Sequence, residues 1–528
     1  MNDTTFPWLT TLVVLPLVGA AAVWLLPASA RRWARQVAVG VSLVTLVVGV
    51  LALGAFDVAD AGTVQLTERV GWIPAFGVSY ALGVNGLGLS LILLALFLVP
   101  LVLLAAWHEH QAVDGVEVVD DDGRRIRNYV ALVLVLEAFM VAVFAARDVF
   151  LFYVLFEAML IPVYFMIGVF GGLQRRYAAV KFLIYSLVGG LVMLVGVIAL
   201  YLQGPGGPDG FLIDNLVGAQ MRPWTERLLF LSFFFAFAIK APMWPVHTWL
   251  PDAAEQAPAG TNVLLVGVLD KVGTFGMLTL CLPLFPSAAR WAAPVIIVLA
   301  VISILYGAFL AIGQENLMRL IAYTSVSHFG FIVLGIFAFT SVSIQGSSLY
   351  MLTHGLSTGA LFLVAGFLVR RWGTARIGDL GGLQKVVPVL AGTFLVAGLS
   401  ALSLPGLAPF VSELLVFVGT FAAHKAVAVV ATLGVVLAAL YVLLTYQRIF
   451  TGPVRDSLST QRDLSVRERW VIGPLVAALI VLGFLPGLAL DLVREPATAT
   501  QSSVGVTDPA PLVSRGIAAT PTTDGSDK

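Results

Sequence analysis

Residues 228–247 read LLFLSFFFAFAIKAPMWPVH. From Leu228 to Ile239 only Ser232 is polar, and the run then meets Lys240, Pro242 and Pro245 within six residues. An ammonium at the centre of a bilayer helix costs roughly 2.5–3.5 kcal/mol, so a lysine embedded in such a run is by default functional. Proline removes an amide donor and clashes with a preceding carbonyl, which ends a regular helix. Backbone groups freed at membrane depth persist only where protein or a water-filled cavity satisfies them. The stretch therefore predicts a discontinuous membrane helix beside a hydrated path.

The whole chain of 528 residues agrees with that reading. Only 11% of residues are charged, against about 25% in a soluble domain, while 59% are hydrophobic and the mean hydropathy is +0.97. The bilayer is the expected solvent. A net charge of zero excludes nucleic-acid binding through a basic surface. The single cysteine, Cys281, excludes an internal disulfide and the multi-cysteine ligation of an iron–sulfur cluster or Cys-rich zinc site. The six histidines form no i, i+4 pair, so no metal, cofactor or redox centre is expected in this chain.

About fourteen apolar runs approach the ~20 residues needed to span a bilayer, the first near 8–26 and the last near 470–490. The first lacks a preceding basic region and a following small-residue cleavage site, and reads as a retained helix. A second proline break, Leu404-Pro405-Gly406-Leu407-Ala408-Pro409, interrupts the twelfth run. Pro242 and Pro405 are 163 residues apart, close to the 162 separating the starts of the fourth and ninth runs. This predicts an all-α polytopic protein with two inverted five-helix repeats, each holding a broken helix. The expected organisation is a three-helix segment at 1–128, repeats at 129–283 and 291–450, a loop and last helix at 451–495, and a disordered Thr/Ser/Pro-rich tail at 496–528. His108 to Asn128, with Asp120, Asp121 and Asp122, reads as a solvated loop. Odd-numbered loops hold nineteen basic residues and even-numbered loops six, which places both termini outside the cytoplasm.

Twenty-eight of the thirty basic residues lie in loops, tails or run ends, leaving Lys240 and Lys271. The acids at comparable depth are Glu137, Glu157, Asp270 and Glu413. His247, His328 and His354 add side chains that exchange protons near neutral pH. Together these form an inventory for proton relay. Glu137 suits a structural hydrogen bond as well as a relay, and His328 and His354 suit satisfied core imidazoles equally. Asp270 and Lys271 are adjacent and project about 100° apart on a helix, so they are not a one-face pair; Lys271 is the stronger candidate.

Five motifs in order, LFYVLFEAMLIP (151–162), KAP with WLPDA (240–242 and 249–253), LDKVG (269–273), AYTSVSH (322–328) and THGL (353–356), resemble those of one family. It comprises the antiporter-like membrane subunits of the proton-pumping NADH:quinone oxidoreductase, respiratory complex I, and the related Mrp-type cation/proton antiporter subunits. The likeness runs from about residue 75 to 490. It implies proton transfer by an ion pair of Glu157 with Lys240, by Lys271, and by Glu413 in the twelfth span. Siblings L and N usually carry lysine at that last position and subunit M glutamate, so Glu413 follows the M pattern. The resemblance further implies sibling membrane subunits L and N as partners, lipid contact, the cell inner (plasma) membrane as location, and flavin, iron–sulfur clusters and quinone in partner subunits. Two departures stand out: Ala254 where the family often has histidine, and Asp270 where it usually has an apolar residue.

The expected function is redox-driven proton translocation within the oxidoreductase. The chain lacks a G-x-x-x-x-G-K phosphate loop and a redox ligand set, so the driving force must come from partner subunits. The alternatives are a sodium/proton antiporter subunit of the Mrp type and a non-conducting scaffold; costly intramembrane charges argue against the scaffold.

Overall fold

The structure is a computed structural model that describes residues 6–108, 123–454 and 458–510. Asp120, Asp121, Asp122 and the tail beyond residue 510 lie outside the described residues.

Helices dominate, and ten of them are long and apolar enough to cross a membrane, or eleven if the pair Val466–Phe484 and Gly487–Ser503, bent by 67°, is one span. Three of the apolar runs are not among these long helices, and the reason is local chemistry. The seventh run divides into Pro223–Lys240 and Trp249–Gln256 around Pro242 and Pro245. The twelfth divides into Pro388–Ala401 and Ala408–Ala423 around Pro405. The first is a helix of only 17 residues, Trp8–Trp24.

Burial separates a central layer from a rim. Ala259–Leu284 and Leu317–Phe337 each have 94% of their most apolar window buried, whereas Ala28–Ala55 has 28% and Lys425–Phe450 33%. The rim helices turn apolar side chains such as Val47 and Val436 outward, as a helix facing acyl chains requires. Central helices approach closely through small residues. A Cβ on Gly355 would lie 2.7 Å from the Gly267 carbonyl oxygen, and one on Gly346 would lie 2.6 Å from the Val416 nitrogen.

The helix Ser341–Trp372 is the polar axis of this layer. It starts at a capping box of Thr340 and Ser343 and ends at Gly373, with Arg370 and Arg371 in its last turn facing the negative end of the helix dipole. Along it Ser347, Tyr350, Thr353, His354, Ser357 and Thr358 are all buried.

Three features depart from the sequence reading. An antiparallel hairpin of β1 (Gln65–Ile73) and β2 (Val78–Val84) lies within the N-terminal segment. Its outer strand is bulged and mostly exposed, so it lacks the clean alternation that marks a strand. The membrane helix carrying Lys271 contains two π-helical segments, Leu265–Leu269 and Met277–Cys281. The last helix, Gly487–Ser503, continues past Pro496, where a disordered tail was expected to begin. Its polar groups dock onto the bundle: Gln501 donates to the Phe339 carbonyl at 3.2 Å, and the Glu495 carboxylate accepts from the Gly62 amide at 3.1 Å.

Candidate functional site

Glu157 occupies the last turn of Val149–Ala158, a helix begun by Asp148, whose carboxylate accepts the Phe150 and Leu151 amides at 2.9 Å each. Its carboxylate fills a space that only a glycine leaves open. A Cβ on Gly190 would fall 1.6 Å from Glu157 Oε1.

Lys240 closes the helix Pro223–Lys240 and is buried. Its Nζ makes no hydrogen bond among the described residues and lies over the rings of Phe156, at 5.1 Å, and Phe182, at 5.7 Å. Glu157 and Lys240 are near enough for their charges to interact, yet stop short of a hydrogen-bonded ion pair. The ammonium is held by aromatic faces instead.

Beyond Lys240 the groups connect more tightly. Lys271 Nζ is 2.5 Å from the Val266 carbonyl oxygen, which the first π-helical segment presents to it, and 2.8 Å from His354 Nδ1. π-Bulges recur at functional sites for such reasons. His354 Nε2 is 3.1 Å from Thr358 Oγ1, and its ring sits 5.2 Å from that of His328. His328 Nε2 lies 3.3 Å from the Tyr441 hydroxyl, and its ring is 6.0 Å from that of Tyr350. Tyr350 donates to Glu413 Oε2 at 3.0 Å, and Ser403 donates to the same oxygen. Ser403 stands at the proline break with a φ of +59°, a conformation L residues rarely adopt and one that tends to persist at functional sites. Every group from Lys271 to Glu413 is buried.

Other candidates stand apart from this row. Glu137 is buried in Arg124–Ala145 with neither carboxylate oxygen hydrogen-bonded among the described residues. His247 lies in the first break, 5.4 Å from the Tyr306 ring and 6.3 Å from that of Tyr323, with both ring nitrogens unpartnered among the described residues. On the side of the His247 break, Asp252 accepts from Lys181 at 2.6 Å and from Arg319 at 2.5 Å, and Arg319 also bonds Glu255 at 2.8 Å.

Comparison with known proteins decides the family. Residues 146–440 match the family described as NADH:quinone oxidoreductase/Mrp antiporter, TM. Over 97% of its length, and 97% of the relative's, the chain is 47% identical to NADH-quinone oxidoreductase subunit M of Mycobacterium tuberculosis. The chain belongs to the NADH-quinone oxidoreductase subunit M family. Subunit M of Rhodobacter capsulatus is 40% identical, with 92% of this chain and 94% of that one covered. The fold matches a chain of respiratory complex I from Thermus thermophilus with bound NADH at a TM-score of 0.83 and 31% identity, covering 94% of this chain and 100% of that one. A chain of the Mrp complex from Dietzia sp. matches at a TM-score of 0.81 and 23% identity, covering 94% and 100%, which shows a shared fold.

Within this subunit M family member, sequence reasoning missed Tyr350, Tyr441, Ser403 and Thr358. A hydroxyl in an apolar run carries little signal, because its own helix can satisfy it, as Ser90 shows by donating to the Leu87 carbonyl. Ala254, where the family often has histidine, is buried, and its carbonyl accepts from Asn262 at 2.8 Å.

Proposed function

We propose that this chain moves protons across the membrane as the antiporter-like subunit M of an NADH:quinone oxidoreductase. Glu157 tunes Lys240 by its distance, Lys240 passes a proton toward Lys271, and Lys271 hands it through His354 and His328 to Glu413. The single observation that carries this reading is the buried row from Lys271 to Glu413, in which successive groups are hydrogen-bonded or have ring centroids within 6.0 Å of each other.

A proton moved against the membrane potential needs ~2.3 kcal/mol per 100 mV. The flavin, iron–sulfur and quinone chemistry that supplies it belongs to partner subunits, with subunits L and N as membrane neighbours. The two proline-broken helices, offset by nearly the same number of residues as the fourth and ninth apolar runs, favour about fourteen crossings that include two inverted five-helix repeats, in the inner (plasma) membrane. The excess of basic residues in one set of loops favours both termini on the non-cytoplasmic side.

The test is proton pumping by the assembled complex in proteoliposomes. Lys271→Ala and Glu413→Ala should lower the protons pumped per NADH while uncoupled NADH oxidation continues. Full stoichiometry in both would sink the assignment. Sodium-dependent transport in the same vesicles would instead favour Mrp-type exchange.

A further inference from the structure

Asp270 has no place in the path described so far, yet its surroundings are unusual. It is fully buried, and neither carboxylate oxygen has a hydrogen-bond partner among the described residues. Leaving a buried carboxylate unpaired is costly, so such a group persists where its charge is used. It stands where the first π-helical segment gives way to the helix Lys271–Gly276.

That helix is pressed onto the end of the Lys240 helix. A Cβ on Gly273 would lie 2.5 Å from the Phe237 carbonyl oxygen and 2.7 Å from the Ala241 nitrogen. Lys240 and Asp270 are thereby brought near enough for their charges to interact, and the Lys240 ammonium has no hydrogen-bond partner among the described residues. The groups facing Asp270 electrostatically are Lys271 and Lys240. Glu157, Lys240, Asp270 and Lys271 then alternate in sign. Without Asp270, a proton leaving Lys240 for the neutral amine of Lys271 would cross with no anion between the two nitrogens.

We infer that Asp270 is a proton carrier between Lys240 and Lys271, an inference that rests on the proposed path. The protonated Lys240 gives its proton to the Asp270 carboxylate, leaving a neutral amine and a neutral carboxylic acid. The acid then protonates the neutral amine of Lys271, which restores the carboxylate and leaves Lys271 as the ammonium.

The experiment uses the whole complex in proteoliposomes, reading protons per NADH for Asp270→Asn, Asp270→Glu and Lys240→Ala, with infrared difference spectra in the carboxylic-acid carbonyl region during turnover. Asp270→Asn should lose the protons this chain moves and lose a carboxyl band present in the unmodified complex, whereas Asp270→Glu should keep pumping. Wild-type stoichiometry in Asp270→Asn, with Lys240→Ala impaired, overturns the role of Asp270 alone. Wild-type stoichiometry in both Asp270→Asn and Lys240→Ala removes the path itself. Should Asp270→Asn fail to assemble, Asp270→Glu decides: a shifted pH profile of pumping supports the carrier, and an unchanged profile overturns it.

Discussion

Lys271 Nζ and His354 Nδ1 are 2.8 Å apart in a site that buries both completely. When Lys271 is protonated its ammonium donates, so in that state Nδ1 is the acceptor and the ring proton sits on Nε2, which faces Thr358 Oγ1. The contact thus selects one tautomer, and the imidazole is ready to receive on one nitrogen and release from the other.

Replacing His354 by alanine removes one of the two acceptors of a buried ammonium, the Val266 carbonyl being the other. A hydrogen bond to a charged group contributes about 1.5–3 kcal/mol, so transfer past Lys271 should slow by roughly one to two orders of magnitude. Thr358→Val should have a smaller effect in the same direction, since it removes only the second partner of the ring. Proton-to-NADH ratios in proteoliposomes check both; equal activity of His354→Ala and the unmodified complex would refute the expectation.

Gly190→Ala tests the position of Glu157 without touching its chemistry. The new Cβ would lie 1.6 Å from Oε1 and 2.4 Å from Cδ, so the carboxylate must leave its present place. Pumping should fall as in Glu157→Gln, and Gly190→Ala combined with Glu157→Gln should be no worse than either alone. An additive double variant would place the effect of Gly190 elsewhere.

Glu413 accepts from Tyr350 and Ser403, and these two can be separated. Tyr350→Phe removes a donor and leaves the backbone alone. Ser403→Gly removes a donor and also relieves a positive φ, a strain of order 1 kcal/mol; Ser403→Ala removes the donor and keeps the strain. Both Ser403 variants should pump less than the parent, with Ser403→Gly giving the higher thermal stability of the two. Equal melting temperatures for Ser403→Gly and Ser403→Ala would show that the φ of +59° stores no strain.

How much of this was readable in advance depends on how rare each signal is. Lys240, Lys271, Glu157 and Glu413 stand out because few charges interrupt the apolar runs, and the two helix breaks stand out because each holds paired prolines. Tyr350 and Tyr441 were invisible because a tyrosine in an apolar run reads as packing. The π-helical segments beside Lys271 leave no compositional trace, since one extra residue per turn changes no residue type. The hairpin escaped because exposed Thr67, Arg69, Val70 and Trp72 resemble a loop. The final helix escaped because its Thr and Ser residues argue for disorder until the bundle partners of Glu495 and Gln501 are known.

That final helix supplies a prediction about pH. Asp508, just beyond it, accepts from the Ser341 amide at 2.8 Å, the Ser341 hydroxyl at 2.6 Å and Gln501 at 2.8 Å. Partial burial alone would raise its carboxyl pKa, but these donors outweigh it and hold the group below its usual value near 3.8. A depressed folded-state pKa stabilises the clamp above the unfolded value, and that contribution fades as pH falls through the folded one. Amide exchange in Gly487–Ser503 and at the start of Ser341–Trp372 should therefore quicken, relative to the central helices, only below about pH 4. Asp508→Ala should show the quicker exchange already at neutral pH and lose the acid dependence. If the substituted and parent proteins exchange alike at pH 7, the contact does not hold the helix in place.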